Sequence, residues 1–507
     1  MIAPAGRDRP RALATRVVLG FLLAYTAWAW GGLRPSFHEA GVAAAGILLA
    51  AVLVESRWAS WRAMRRDPVF ILGLVFLGYL AIQWLNAGRT QYFDVGYQRW
   101  AYTKPPWPHW PSAFTRPDAA QMLAWFFPAW AIAVTVRTRT LDRHALRGLL
   151  MFAVCNAAVL AAFGLIQFAS GTRSIYWMQP LKSHFFASFA YGNHAAPFFV
   201  LAGGVAAGLL YREIFDIRRS HADTPSALSL RHPRRVVVLV PVLVLCLVGA
   251  NMGFSRTGVI LAGMLVVFVA AYGWMRGWRL LQPAGRLNFM ALSLAVLGGF
   301  YFIVAGFGEQ GIRTEFAPKP VDAGVPRTAW DRVSLELGGR PQYVRAAVAI
   351  WKEHPWFGVG GWGYKYLVAS HVPESQWAAL EKKGWANVHC DALQFLAEFG
   401  LVGFGLLLGA FGAVAREWVA SRKCRHDALW MMGAATLGLV VVFSVVDLPF
   451  RNPAILYTWV VALAAIPRIC EIRPCGKKPA VAGNGLENGW AAESAAERGM
   501  APGKTGP

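Results

Sequence analysis

The chain has 507 residues, 56% of them hydrophobic and 15% charged, with a mean hydropathy of +0.39. A soluble protein of this length needs far more polar surface, so a soluble enzyme or carrier is excluded. The formal net charge of +23 would point a soluble protein toward nucleic acid, but no soluble domain exists to carry a basic face, so no nucleic-acid partner is expected.

Many stretches approach the ~20 apolar residues that cross a bilayer as a helix. The expected class is all-α and polytopic. Twelve spans are expected, at 16–33, 39–55, 68–85, 118–136, 148–170, 193–211, 235–253, 258–273, 287–306, 391–415, 428–447 and 453–467. Hydropathy on this length scale argues against an outer-membrane barrel, whose strands alternate over ~10 residues. The start, Arg7 to Arg16 and then Val17 to Gly32, resembles a signal peptide. No small-x-small cleavage site follows, so it reads as the first, uncleaved span.

Arginines set the orientation. With the N-terminus inside, the inside loops hold Arg57, Arg62, Arg65 and Arg66, and then Arg137, Arg139, Arg143 and Arg147. Later inside loops hold Arg218, Arg219, Arg231, Arg234 and Arg235, then Arg276, Arg279 and Arg286, then Arg416, Arg422, Lys423 and Arg425. Basic residues gather on the cytoplasmic side of membrane proteins, and the scheme closes with an inside C-terminus.

The expected layout is a cytoplasmic start (1–15), spans one to nine (16–306), a large external segment (307–390), spans ten to twelve (391–467) and a cytoplasmic tail (468–507). The tail after Pro474 is rich in Gly, Ala and Glu and reads as disordered. A second external segment, 86–117, carries R-W-A-Y-T-K-P-P-W-P-H-W-P, whose aromatics suit the interface or, as an alternative, sugar stacking. Within 307–390, P-Q-Y-V-R-A-A-V-A-I-W-K-E has helical apolar spacing and reads as a helix lying on the membrane.

Cys155 and Cys246 lie in apolar runs and read as packing residues, and no C-x-x-C pair suggests zinc. No Asp-x-Asp and no G-x-x-x-x-G-K-[ST] occurs, so no metal, nucleotide or other cofactor is expected.

On this topology several polar groups share the external face. Asn193 and His194 open the sixth span, Arg256 lies in F-S-R-T-G, Arg340 ends G-G-R, His389 precedes the tenth span, and Asp447 and Arg451 bracket the connection before the last. Each has a plain reading. Arg256 and His389 suit headgroups. Asn193 suits a helix cap, and Asp391 with Gln394 suits an N-cap and capping box. Gly400 and Gly403 suit close packing of membrane helices, and Asp447 and Arg451 suit a mutual ion pair. Together, two arginines and a histidine suit a polyanion at the membrane surface: guanidinium binds phosphate bidentately, and histidine moves protons near neutral pH.

At these residues the chain resembles the O-antigen ligase and polymerase superfamily. His389-Cys390, nine residues and Gly400-x-x-Gly403 resemble the H-N/S/Q-x9-G-x-x-G signature of the ligases. S-R-T-G at 255–258, G-G-R-P-Q-Y-V-R through H-P-W-F-G-V-G-G-W-G at 338–363, Y-G-N-H-A at 191–195 and D-L-P-F-R-N-P at 447–453 resemble its other elements, in order. Cys390 departs from the usual Asn, Ser or Gln.

The resemblance implies a GT-C-like glycosyltransferase of a bacterial inner membrane, acting on the periplasmic face. Its donor would be a glycan on undecaprenyl diphosphate, and its acceptor a hydroxyl of lipid A–core or another glycan. Arg256 and Arg340 would hold the diphosphate. His389 would orient or deprotonate the acceptor, or assist at the diphosphate. Asn193, His194, Arg345, Asp447 and Arg451 would contribute to substrate binding. A repeat-unit polymerase and, from a different class, a transporter of lipid-linked glycans are the alternatives. Transporters place ionisable groups near mid-membrane, whereas these cluster at one face.

Overall fold

The computed structural model describes residues 13–56, 62–96, 99–138, 140–181, 184–215, 233–316, 340–373, 377 and 387–470. The segment before Leu13, the arginines at 218, 219 and 231, Gly338, Gly339 and the tail expected to be disordered lie outside these residues.

Among the described residues twelve apolar helices coincide with the twelve expected segments. They are α1 Leu13–Trp28, α2 His38–Glu55, α3 Pro68–Leu85, α4 Arg116–Arg137, α5 Arg143–Ala169, α6 Gly192–Phe215, α7 Pro233–Asn251, α8 Arg256–Leu280 and α9 Pro283–Phe316. A shorter surface helix, α10 Arg340–Glu353, precedes α11 Asp391–Ala420, α12 Ala428–Phe443 and α13 Pro453–Cys470. Ten of the twelve are long and apolar enough to cross a membrane; α1 and α12 are apolar but shorter. Sheet among the described residues is confined to two small hairpins, β1 Gln91–Asp94 with β2 Arg99–Tyr102 and β3 Ser174–Ile175 with β4 Gln179–Pro180. The chain is an all-α, multi-pass membrane protein. Its outward-facing Val54, Val237, Val267 and Leu294 would be an aggregation surface in water and are ordinary against lipid.

Local chemistry starts these helices where the sequence changes from polar to apolar. Asp67 caps α3 by accepting from Val69 N at 2.8 Å, with Pro68 at the first helical position. Asp142 caps α5 by accepting from Ala145 N at 2.7 Å, and Asp427 caps α12 by accepting from Leu429 N at 2.9 Å. Helix α6 is the buried centre of the bundle. Gly204 and Gly208 let α12 approach it closely, because a Cβ at either would meet Thr436 or Leu429.

The two ends of the bundle differ. At one, ion pairs tie helix ends together: Arg137 to Asp67 and Glu417, Arg147 and Arg235 to Glu213, and Arg212 to Asp427. At the other lie the starts of α4, α6, α8, α11 and α13 together with the loops. Asn86 holds the aromatic loop there, receiving Trp107 N at 2.8 Å and donating to Trp107 O and Pro111 O at 2.9 and 3.1 Å. Trp107 and Trp110 stay exposed. The apolar stripe of α10, Ala346, Ala347 and Ile350, is buried in a small cluster with Phe114, Val359 and Tyr364. This helix therefore packs on protein along that stripe.

Helix α11 is broken. Gly400 has φ +60° and ψ −170°, a conformation open essentially to glycine alone. The freed backbone groups are met by the segment after α10. Val359 N and Gly360 N donate to Ala397 O and Glu398 O at 3.1 and 2.8 Å, and Leu401 N and Val402 N donate to Pro355 O and Trp356 O at 2.8 and 3.0 Å. The Tyr79 hydroxyl lies between Phe357 O and Phe399 O, at 2.6 and 2.9 Å. Gly358, at φ +63°, faces the break, where a Cβ would run into the Glu398 carbonyl. Of the two glycines expected to serve close packing, Gly403 does so, against Phe399 and Tyr79; Gly400 instead interrupts the helix.

Glycine variants along α11 separate the two roles. Gly400→Ala combines the strained φ with a collision on the Trp356 carbonyl. It should lose at least ~2 kcal/mol, read as a lowered thermal midpoint in detergent. Gly405→Ala, where nothing lies within 4 Å of the added Cβ, should be neutral or gain about 0.5–1 kcal/mol.

Candidate active site

The loop between α12 and α13 carries Asp447, which is fully buried. Four residues distant in sequence converge on its carboxylate. Asn193 donates to Oδ2 through Nδ2, and Tyr191 donates to the same oxygen at 3.3 Å. Arg340 Nη2 lies 3.9 Å from Oδ2, and His389 Nδ1 lies 3.5 Å from Oδ1. Leu448 N also donates to Oδ1, at 2.9 Å. Burial would raise this carboxyl's pKa. His389 beside it, with His194 and Arg340 beyond, more than offsets that and holds it below its ordinary value.

Three separate parts of the chain deliver these groups. Tyr191 and Asn193 stand at the start of α6, where Gly192 packs backbone to backbone against Gly253. The same turn brings in Arg256: Ser255 caps α8, and its Oγ accepts from Gly258 N at 3.3 Å. Arg340 begins α10 and donates to Val446 O at 3.0 Å. His389 stands in a left-handed turn at φ +60°, uncommon for a residue with a side chain, and its own side chain is about a quarter exposed. The Tyr343 ring lies beside it, 6.4 Å between centroids.

Asp391 joins the His389 turn to the Asp447 loop. Its backbone N donates to Ser444 O at 2.9 Å, and its Oδ2 accepts from Phe450 N at 3.0 Å. The expected cap of α11 by Asp391 is therefore absent. Cys390 holds the N-cap position without a side-chain bond, and Gln394 reaches past it to accept from Val388 N at 2.7 Å. Asn193 likewise binds Asp447 instead of capping its helix.

Asp447 and Arg451 do not pair with each other. The Arg451 guanidinium, 3% exposed, binds Glu398 and lies over the Trp362 and Phe395 rings at 4.7 and 5.3 Å. His194 lies buried behind the cluster, edge-on to Tyr191, with its Nδ1 3.5 Å from Asn452 Nδ2. Arg345 is exposed on α10, five residues beyond Arg340. The structure thus brings Asn193, Arg340, His389 and Asp447 together, places Arg256 at the same end of the bundle, and sets His194 and Arg451 behind them. Among the described residues no group of three or more His, Cys, Asp or Glu side chains is arranged to hold a metal ion.

Two participants were not singled out in the sequence. Tyr191 lies inside Y-G-N-H-A but is one aromatic among many. Glu398 did carry a signal, a lone carboxylate inside the apolar run F-L-A-E-F-G of a membrane helix, which is costly there unless paired.

The carboxylate's depressed pKa fixes its linkage with pH. An Asp held below its unfolded value of ~3.9 stabilises the fold above that pH and loses the contribution as pH falls through the folded value. Thermal stability of the wild type in detergent should therefore decline below about pH 4. Asp447→Asn should be less stable at pH 7 and show a shallower acid decline, as measured by unfolding at a series of pH values.

Residues 241–408 match the family described as O-antigen ligase. The match runs from α7 into α11 and includes Arg256, Arg340, Arg345, His389 and Glu398. No curated protein matches the chain. The matched segment, about a third of the chain, is thus similar to an O-antigen ligase domain and supports the O-antigen ligase superfamily.

Proposed function

We propose that this protein transfers a glycan from a polyprenyl diphosphate, of the undecaprenyl kind, to an acceptor hydroxyl on the external face of a bacterial inner membrane. The observation that carries the reading is that His389 and Arg340, both inside the segment similar to O-antigen ligases, meet on one buried carboxylate, Asp447, at the end of the bundle away from the interhelical arginine pairs. With the arginine-paired end in the cytoplasm, as the positive-inside rule favours, both termini are cytoplasmic and the cluster is periplasmic. The segment 307–390 is then the external loop that brings Arg340 to the site.

In this mechanism His389 Nδ1 faces Asp447, which leaves Nε2 to take the acceptor's proton. The acceptor oxygen bonds to the anomeric carbon as the bond from that carbon to the phosphate oxygen breaks. The electron pair leaves with the lipid diphosphate. Arg256 and Arg340 stabilise the growing negative charge, a preorganised electrostatic role that needs no metal. A diphosphate competes with Asp447 for Arg340. Asn193 and Tyr191 hold Asp447 in place throughout.

The test is consumption of native undecaprenyl-diphosphate-linked glycan by purified protein with chelator present. Lipid A–core or excess donor is offered as acceptor. Wild type should consume the donor, and the productive acceptor separates ligase from polymerase. His389→Ala should fall ~10²–10⁴-fold in kcat. Arg340→Ala should lose a comparable factor, about 10²–10³. Folded wild type that leaves the donor intact with both acceptors would overturn the proposal and point to transport. Loss of activity on chelation, restored by magnesium, would overturn the metal-free mechanism.

A further inference from the structure

We propose that Gln394, Glu398 and Arg451 form a positioning relay that holds His389 in its left-handed turn. The relay rests on the transfer reading above for its catalytic meaning, although its geometry does not. Gln394 and Glu398 stand one turn apart on the same face of α11, both fully buried. Gln394 Nε2 donates to Glu398 Oε1 at 2.7 Å, and Arg451 donates to the other carboxylate oxygen. Gln394 Oε1 accepts from Val388 N at 2.7 Å. A continuous chain of hydrogen bonds therefore runs from the guanidinium of Arg451 to the backbone N–H of Val388, the residue before His389.

The turn is anchored on both sides. Val388 N is held by Gln394 on one side, and Asp391 N is held by Ser444 O on the other. Between these anchors His389 keeps φ +60° and its Nδ1 faces Asp447. Glu398 is also the last residue but one before the break at Gly400, and its carbonyl accepts from Gly360 N at 2.8 Å. Trp362, two residues after Gly360, stacks on Arg451. The relay thus connects the broken helix, the segment that mends it and the histidine.

An ion pair buried at this depth gives little net stability, since well-packed apolar residues serve as well. Its value here is geometric. Glu398 can fix Gln394 and Arg451 at once, and a misplacement of the histidine by ~1 Å is enough to cost about 10²-fold in rate. Gln394, Glu398 and Arg451 are therefore positioning residues.

The test is a cycle of wild type, Gln394→Leu, His389→Ala and the double variant, with donor turnover and labelling of Cys390 measured on each. Cys390 is buried and adjoins the turn, so its alkylation by a membrane-impermeant maleimide, read by peptide mapping, reports the turn without any turnover. Gln394→Leu should lower kcat at least ~10-fold, with donor KM within about twofold. In the His389→Ala background it should cost less than about twofold, because the group it positions is gone. It should also speed Cys390 labelling several-fold.

Equal losses in both backgrounds, or Cys390 labelling unchanged by Gln394→Leu, would overturn the relay. If Gln394→Leu does not fold, the near-isosteric Glu398→Gln takes its place in the same cycle, with the same outcomes. If wild type leaves the donor intact while labelling still depends on Gln394, the transfer reading fails and the relay stands.

Discussion

The structure depends on how one membrane helix satisfies its backbone where it is broken. In hydrocarbon no water is available to unpaired N–H and C=O groups, and each one left open costs several kcal/mol. Helix α11 opens at Gly400, and the run Pro355–Gly360 closes it by pairing backbone to backbone on both sides of the gap. Tyr79 meets the carbonyls of Phe357 and Phe399. Irregular backbone at this depth survives only because protein surrounds it. The mend also fixes the loop, for Val359 and Tyr364 carry it into the cluster that seats α10 and so sets the position of Arg340.

The charges follow from the same constraint. A buried carboxylate must be surrounded by donors, and Asp447 is met by Asn193, Tyr191, Leu448 N, Arg340 and His389. Glu398 is met by Arg451 and Gln394. The two networks stand back to back across the connection 447–452, and Asp391 joins them by binding Phe450 N while its own N reaches Ser444. The first network is partly open and presents the histidine. The second is buried and gives the first its shape. This division explains why Arg451, though part of the D-L-P-F-R-N-P segment, is buried at 3% exposure rather than open to a ligand.

Much of this was legible in the chain. Hydropathy and length placed the twelve apolar helices, because oil selects segments one at a time. Topology then put Asn193, Arg256, Arg340, His389 and Asp447 at one end, and in the structure Asn193, Arg340 and His389 lie around Asp447. What escaped was pairing. Asp391 read as a cap because a carboxylate three residues before a glutamine at a helix start usually is one; instead it binds a loop 59 residues away. Asp447 and Arg451 read as mutual partners because they are four residues apart, yet each has a partner from another part of the chain. Gly400 read as a packing glycine because membrane helices use glycine that way far more often than they break at it.

The sequence by itself determined the class of solvent, the number and order of apolar helices and the set of residues available at each end. Those properties are local: they follow from composition over ~20 residues and from charge between them. The tertiary structure decided which donor meets which carboxylate, where α11 breaks and how His389 is turned. These depend on contacts between residues up to 320 positions apart, such as Tyr79 with Phe399. Such contacts arise only when buried polar groups, each needing a partner, are packed together, and no local pattern encodes that choice.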